Sequence, residues 1–233
     1  MLGVRVDCVD MAEALSRIEA MVEAGGHHQV ATVNPEFVMR ARRDPDFARV
    51  LEAADLCLAD GSGVVWAARR QGCDMRAPVT GVDLIPDIAS MCEQKGWGLF
   101  LLGAEPGVGE ELAAQLKAAH PALEVAQHPG HADPWADEDA IRIIREHHPQ
   151  IVLVAFGAPK QELWIDRAGR RIDAPVAIGV GGSFDYLTGR VPRAPEWMRQ
   201  AGMEWAFRLA RQPWRARRMA VLPVYAVRVL RDR

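Results

Sequence analysis

Long apolar runs are missing from this chain. No stretch reaches the ~18 consecutive apolar residues that a membrane-spanning helix needs, so a helical span is not expected. The four cysteines, Cys8, Cys57, Cys73 and Cys92, include no CxxC pair. They therefore read as reduced core residues of a cytoplasmic protein rather than as metal ligands. The seven histidines, His27, His28, His120, His128, His131, His147 and His148, show neither HExxH nor a Cys/His ligand spacing. GxSxG and Cys/His nucleophile arrangements are also absent. Two Asp-x-Asp patterns occur, Asp44-Pro45-Asp46 and Asp137-Glu138-Asp139, but both precede helical runs instead of ending strands. Capping explains them better than metal–nucleotide binding, and no metal site and no cofactor are expected. Arg5, Asp7 and Asp10 interrupt the short apolar start, so no secretory leader is expected either.

What is present suits a large α/β domain. The 233 residues are 49% hydrophobic and 25% charged, and a chain of this length buries roughly 70–75% of its unfolded surface. The net charge of −3 is unevenly spread. Residues 199–233 hold nine arginines against Glu204 and Asp232, a surplus of +7 that leaves −10 on the remainder. A basic, tryptophan-bearing tail on an acidic body points to an anionic partner.

Strand and helix patterns alternate. The run Ile151-Val152-Leu153-Val154-Ala155-Phe156 has no polar alternation, as expected of a central strand buried on both faces. Further strands are expected at Val4–Asp7, Gln29–Val33, Leu56–Ala59, Gly98–Leu102, Leu123–Gln127 and Val176–Val180, with helices between them. This is the βαβ pattern of a Rossmann-like, mostly parallel sheet with helices on both faces. A composition shift near Val191 divides the chain into a core, 1–192, and a helical basic appendage, 193–233.

Ligands of open α/β sheets bind outside the carboxyl ends of the strands, and several of these ends are polar. Thr32-Val33-Asn34-Pro35 leaves a strand with a hydroxyl and an amide, and Ala59-Asp60-Gly61-Ser62-Gly63 with a carboxylate. Asp60 fits equally well as a helix N-cap. Gly157-Ala158-Pro159-Lys160-Gln161 turns from the central strand into a helix. Gly179 to Asp185 is a glycine-rich turn able to receive a nucleotide on backbone N–H groups. The segment from Gly103 to Val108 offers a helix N-terminus for phosphate, although it is neither a P-loop nor a GxGxxG.

These segments occur in order with Thr80-Gly81-Val82-Asp83-Leu84, Phe100-Leu101-Leu102-Gly103, Phe156 to Glu162, Arg193-Ala194-Pro195-Glu196-Trp197, Gly202-Met203-Glu204-Trp205 and Arg208-Leu209. Together they resemble the WecG/TagA/CpsF glycosyltransferases, glycosyltransferase family 26, over nearly the whole chain. The resemblance implies an inverting, metal-independent transfer from a UDP-sugar to a polyprenyl-diphosphate-linked saccharide in cell-surface polysaccharide biosynthesis. The donated sugar would be N-acetylmannosamine, its uronic acid, or glucose. It also implies Asp60 as catalytic base, with Thr32, Asn34 and Gln161 lining the same pocket. Gly157, Pro159, Lys160, Gly103, Gly181, Gly182 and Asp185 would hold substrate, and Arg208, Arg215 and Arg218 would close over the diphosphate. Pro78 stands where the family usually has arginine, with Arg76 nearby as a substitute.

A peripheral enzyme at the inner face of the bacterial cell membrane is implied, contacting it through the tail, and a homo-oligomer is left open. From Trp214 onward, helical spacing gathers Trp214, Val221, Leu222, Tyr225 and Val229 on one side, flanked by Arg217, Arg218 and Arg228. That suits either a helix lying on a membrane surface or a basic helix docked on the acidic body. Two other classes share parts of this pattern. A Rossmann-type oxidoreductase would need GxGxxG after its first strand, which is absent. A nucleic-acid-binding module would use the arginines but leave the polar strand ends unexplained, so no nucleic-acid partner is expected.

Overall fold

The computed structural model describes residues 1–131 and 137–232, without the side chains of Arg215, Arg217 and Arg218. Its centre is a six-stranded sheet: β1 (His28–Val33), β2 (Leu56–Ala59), β3 (Gly98–Gly103), β4 (Glu124–His128), β5 (Ile151–Ala155) and β6 (Val176–Gly179). The order is β2-β1-β6-β5-β3-β4, and every pairing is parallel. The absence of alternation in β5 has a direct cause. Ile151, Leu153 and Ala155 pack into the core on one face, while Val152 and Val154 pack into that on the other. β3 divides in the same way, Leu99 and Leu101 against Phe100 and Leu102. Each such side chain contributes roughly 1.5–3 kcal/mol by burial, and only a strand covered on both sides collects that at every position.

The helices are α1 (Met11–Ala24), α2 (Pro35–Ala41), α3 (Pro45–Ala53), α4 (Ser62–Arg70), α5 (Gly81–Lys95), α6 (Val108–Ala119), α7 (Glu138–His147), α8 (Lys160–Ala168) and α9 (Ser183–Leu187). The tail adds α10 (Glu196–Gln200), α11 (Glu204–Arg211), α12 (Ala216–Met219) and α13 (Val221–Arg231). Several begin where side chains satisfy the free N–H groups of the first turn. Asp10 and Glu13 form a capping box on α1, and Asn34, Asp44 and Thr80 cap α2, α3 and α5. Asp44-Pro45-Asp46 is thus a capping element, as read from its place before a helix.

Three features depart from the expectations. Residues 4–7 are extended but belong to no strand. Asp7 N donates to Cys57 O at 2.9 Å, and the Asp7 carboxylate then takes Cys57 N at 2.7 Å, so a side chain replaces the next ladder bond. Cys8 and Cys73 are not a reduced pair: they are joined in a disulfide with Cα atoms 5.8 Å apart, 65 residues distant in sequence. The spacing of the cysteines carries no hint of this, because the loop after α4 folds back onto the segment before α1. Cys57 and Cys92 are the free, buried thiols.

The third concerns the tail. Tyr225 and Val229 of α13 face the body and pack in the cluster containing Phe37, Val38 and Ala41 of α2. Tyr225 Oη donates to Gly63 O at 3.3 Å. The apolar residues α13 turns outward are instead Val224, Val227 and Leu230. Of the stripe that spacing gathered, Val221, Tyr225 and Val229 therefore take the docked alternative, while Trp214 stays exposed. Among the described residues no helix is long and apolar enough to cross a membrane.

The disulfide is directly testable. Denatured, unreduced protein should titrate two thiols with Ellman's reagent, and four after reduction; four before reduction would leave Cys8 and Cys73 unjoined.

Candidate active site

Because the sheet is parallel, its register lines up strand ends that are far apart in sequence. Val33 lies opposite Ala59, Ala31 opposite Gly179, Val154 opposite Gly179, and Gly103 opposite Ala155. One edge thus carries, in order, Asp60, Thr32 with Asn34, the Gly179–Gly181 turn, Gly157, and Gly103. At this edge the following helices diverge. The elements after β1 and β5 pack on one face, and those after β6 on the other, which is the geometry of a switch point.

Asp60 sits one residue beyond β2, its N–H donating to Val33 O at 2.8 Å. The capping alternative fails: Gly61, at φ +94°, is the N-cap of α4, and no side chain caps that helix. The Asp60 carboxyl is half-buried and accepts no hydrogen bond among the described residues. Desolvation pushes its pKa up to about 7, with Arg208 and Arg193 pulling it down and Glu204 and Asp83 pushing it up. Opposing charges thus surround a carboxyl that none of the described groups ties down.

The tail supplies much of that environment. Arg193 forks onto Asp83, its Nη1 and Nη2 each 2.6 Å from a carboxylate oxygen, while Thr80 Oγ1 donates to Asp83 at 2.7 Å. Burial works to raise the Asp83 carboxyl, but the Arg193 fork and the Thr80 hydroxyl outweigh it and hold it below its ordinary value. Arg208 lies 4.8 Å over the ring of Tyr186, and Ser62 Oγ donates to Gly202 O at 3.0 Å. The appendage therefore rests against the loop that carries Asp60. Among the described residues the buried Nε atoms of Arg199 and Arg208 have no hydrogen-bond partner, while Arg193 Nε faces Glu204 Oε1 at 3.9 Å.

The remaining candidates divide by what their polar atoms already do. Thr32 Oγ1 donates to Gly179 O at 2.8 Å, and Asn34 Oδ1 caps α2 through Phe37 N at 3.1 Å. Gln161 is buried, its side chain hydrogen-bonded to Gly157, Gly181 and Glu162. In the glycine-rich turn, Gly181 N is taken by Gln161 and Ser183 N by Val180 O, so these two amides are not free for phosphate. Gly182 and Asp185 flank the same turn, and burial raises the Asp185 carboxyl, opposed by Arg190 and reinforced by Glu105. Pro159 and Lys160 stand at the start of α8, with Lys160 exposed. Gly103, at φ +95°, is packed so tightly that a Cβ there would lie 2.9 Å from Phe156; its smallness serves the fold. Arg76 is exposed, with its backbone carbonyl held by Arg69 Nη2 at 2.7 Å. Arg215 and Arg218 carry side chains outside the described residues. Among the described residues no group of three His, Cys, Asp or Glu converges as a metal site.

Sequence reasoning did not single out Arg193, Asp83, Glu204 or Glu162 as site residues. Glu162 alone left a local signal, a carboxylate on the same helical stripe as Ile165 and Ala168, all buried.

Fold and site define an α/β enzyme with a carboxylate-bearing crevice under a basic appendage. The chain belongs to the glycosyl transferase WecG/TagA/CpsF family, whose model matches residues 1–233; it is a glycosyltransferase. Similar proteins include an "N-acetylglucosaminyldiphosphoundecaprenol N-acetyl-beta-D-mannosaminyltransferase" of Bacillus subtilis (strain 168), 33% identical over 205 residues, covering 87% of this chain and 79% of that protein. The protein of the same name from Bacillus spizizenii is 34% identical over 204 residues, 87% of this chain and 78% of its own length. That from Staphylococcus aureus (strain MRSA252) is 29% identical over 230 residues, 98% and 90% of the two chains. The family match sets aside the oxidoreductase and nucleic-acid readings.

The Asp83–Arg193 fork should anchor the appendage. Arg193→Met is expected to cost roughly 1 kcal/mol, since the pair is partly exposed, and to speed tryptic cleavage within residues 199–231. Unchanged urea midpoint and cleavage rate would show that the fork holds nothing in place.

Proposed function

We propose that this glycosyltransferase moves N-acetylmannosamine from UDP-N-acetylmannosamine to the N-acetylglucosamine of a polyprenyl diphosphate, with inversion. The names of its relatives support the sugar and the acceptor. The observation that carries the mechanism is Asp60: a carboxyl at a strand end, without a hydrogen-bond partner among the described residues, beneath an arginine-bearing helix. Ionised Asp60 takes the proton of the acceptor hydroxyl, whose oxygen attacks the anomeric carbon as the bond to UDP breaks on the opposite side. UDP leaves with the bonding electrons. Arg208, joined by Arg215 and Arg218 as the family resemblance implies, meets the charge that develops on the diphosphate. Thr32 and Asn34 lie beside Asp60 in the register and line the acceptor side. In this reading residues 193–233 are the closing appendage, and the uronic acid and glucose donors are the competing outcomes of a donor panel.

Asp60→Asn preserves shape and removes the proton acceptor. Transfer should fall roughly 10²–10⁴-fold with UDP affinity retained. The acid limb of kcat/KM should lie near pH 7, because the working form is the ionised one and it is lost as pH falls through the raised pKa. A near-active Asn variant would remove Asp60 from the chemistry.

The same reading places the enzyme at the inner membrane surface, where the acceptor lipid resides. The outward residues Val224, Val227 and Leu230, with Arg228 and Arg231 beside them, form the contacting face. Val227→Glu combined with Leu230→Glu leaves the packed face of α13 untouched. It should keep the fold but abolish salt-sensitive binding to anionic liposomes; undiminished binding would move the contact elsewhere.

A further inference from the structure

Glu162 is fully buried in the first turn of α8, yet no cation among the described residues is paired with it. Its Oε1 accepts from Gln161 Nε2 at 2.6 Å, and its Oε2 has no hydrogen-bond partner among the described residues. Gln161 in turn uses Oε1 twice, accepting Gly157 N at 3.0 Å and Gly181 N at 2.9 Å. Those two N–H groups belong to the loops leaving β5 and β6, so one amide oxygen ties together the walls of the crevice. The backbone is shaped to receive the pair. A Cβ on Gly179 would lie 2.7 Å from both Gln161 Nε2 and Glu162 Oε1. Gln29 Nε2 of β1 donates to the Glu162 carbonyl at 3.1 Å, fixing the turn from the other side.

An amide has two ends of opposite hydrogen-bonding sense. Turned over, Gln161 would present its NH₂ to two backbone N–H donors, and both loops would lose their acceptor. Together with the two glycine N–H donors, Glu162 favours the observed orientation: its carboxylate accepts from Nε2 and, when ionised, has no donor to offer Oε1.

We propose that Glu162 is a positioning residue for the transfer reaction: it locks the Gln161 amide so that Gln161 Oε1 clamps Gly157 and Gly181 and sets the floor of the crevice. Burial pushes the Glu162 carboxyl up to about 7, so its ionised and neutral forms coexist near neutral pH. A neutral carboxyl keeps its carbonyl oxygen as acceptor, and so does a glutamine side chain.

The kinetic consequence rests on the glycosyltransferase reading; the structural one does not. Amide hydrogen exchange by NMR should find Gly157 and Gly181 protected in the wild type and in Glu162→Gln, and fast in Glu162→Leu and Gln161→Ala. In steady-state transfer from UDP-N-acetylmannosamine, Glu162→Leu should lower kcat/KM roughly tenfold through a misplaced substrate, while Glu162→Gln stays within about twofold of the wild type. Added to Gln161→Ala, Glu162→Leu should cost nothing more, since its effect runs through the amide it orients. Full additivity in the double variant, or a Glu162→Gln as impaired as the leucine, overturns the proposal. So do protected glycine amides in Gln161→Ala. Should leucine prevent folding, Glu162→Met takes its place, and the Gln161→Ala exchange data decide the clamp independently. A wild type that transfers no sugar but shows these exchange patterns would refute the functional reading and leave the clamp standing.

Discussion

A parallel sheet covered on both faces has little room for polar side chains except at its ends, and all six carboxyl ends here meet along one edge. Within the interior strands the ladder takes up the backbone groups; beyond the last rung, each emerging N–H and C=O needs a new partner. Side chains fill that need at this edge. Thr32 Oγ1 serves Gly179 O, Ser183 Oγ serves Val180 O at 2.6 Å, and Gln161 Oε1 serves Gly157 and Gly181. The crevice is therefore a by-product of finishing the sheet, and most of its polar atoms are already committed. Asp60 stands apart because none of the described groups hydrogen-bonds to its carboxyl.

Charge placement explains how such a carboxylate persists. Burial opposes its ionisation, and Glu204 and Asp83 add to the penalty; Arg208 and Arg193 offset part of it. Both arginines come from the tail, and both are held by contacts of their own, Arg193 on Asp83 and Arg208 on Tyr186. The appendage thus brings to the strand end the two arginines whose charge favours the ionised Asp60 carboxyl.

The last tail helix has two apolar sides. α13 spends Tyr225 and Val229 on docking against α2, which leaves a narrow outward face of Val224, Val227 and Leu230 with arginines beside it. Trp214, at 73% exposure, adds an aromatic to the same exposed region of the chain. An 11-residue helix with a buried side and an apolar exposed side can rest at an interface while staying fixed to the body.

Much of the architecture was legible in the chain itself. The apolar run of β5 required two covering layers, Asp44-Pro45-Asp46 marked a helix start by its capping pattern, and the polar strand ends marked the ligand edge of the sheet. These are local properties: periodicity, propensity and first-turn hydrogen bonding act over a few residues, so a linear reading finds them. The ordered motifs likewise carried the family. What periodicity could not settle was which side of an amphipathic helix faces what; the stripe ending in Tyr225 and Val229 looked the same whether it met lipid or α2. Nor could spacing pair Cys8 with Cys73, bring Arg193 to Asp83 across 110 residues, or show that Gln161 is held from behind by Glu162. Such contacts depend on where chain segments meet in space, and the proton affinity of Asp60 depends on what those segments exclude and what charge they bring. The sequence alone determined the elements and the kind of edge they build; tertiary structure decided which side chains close it, because only packing sets distance and dielectric.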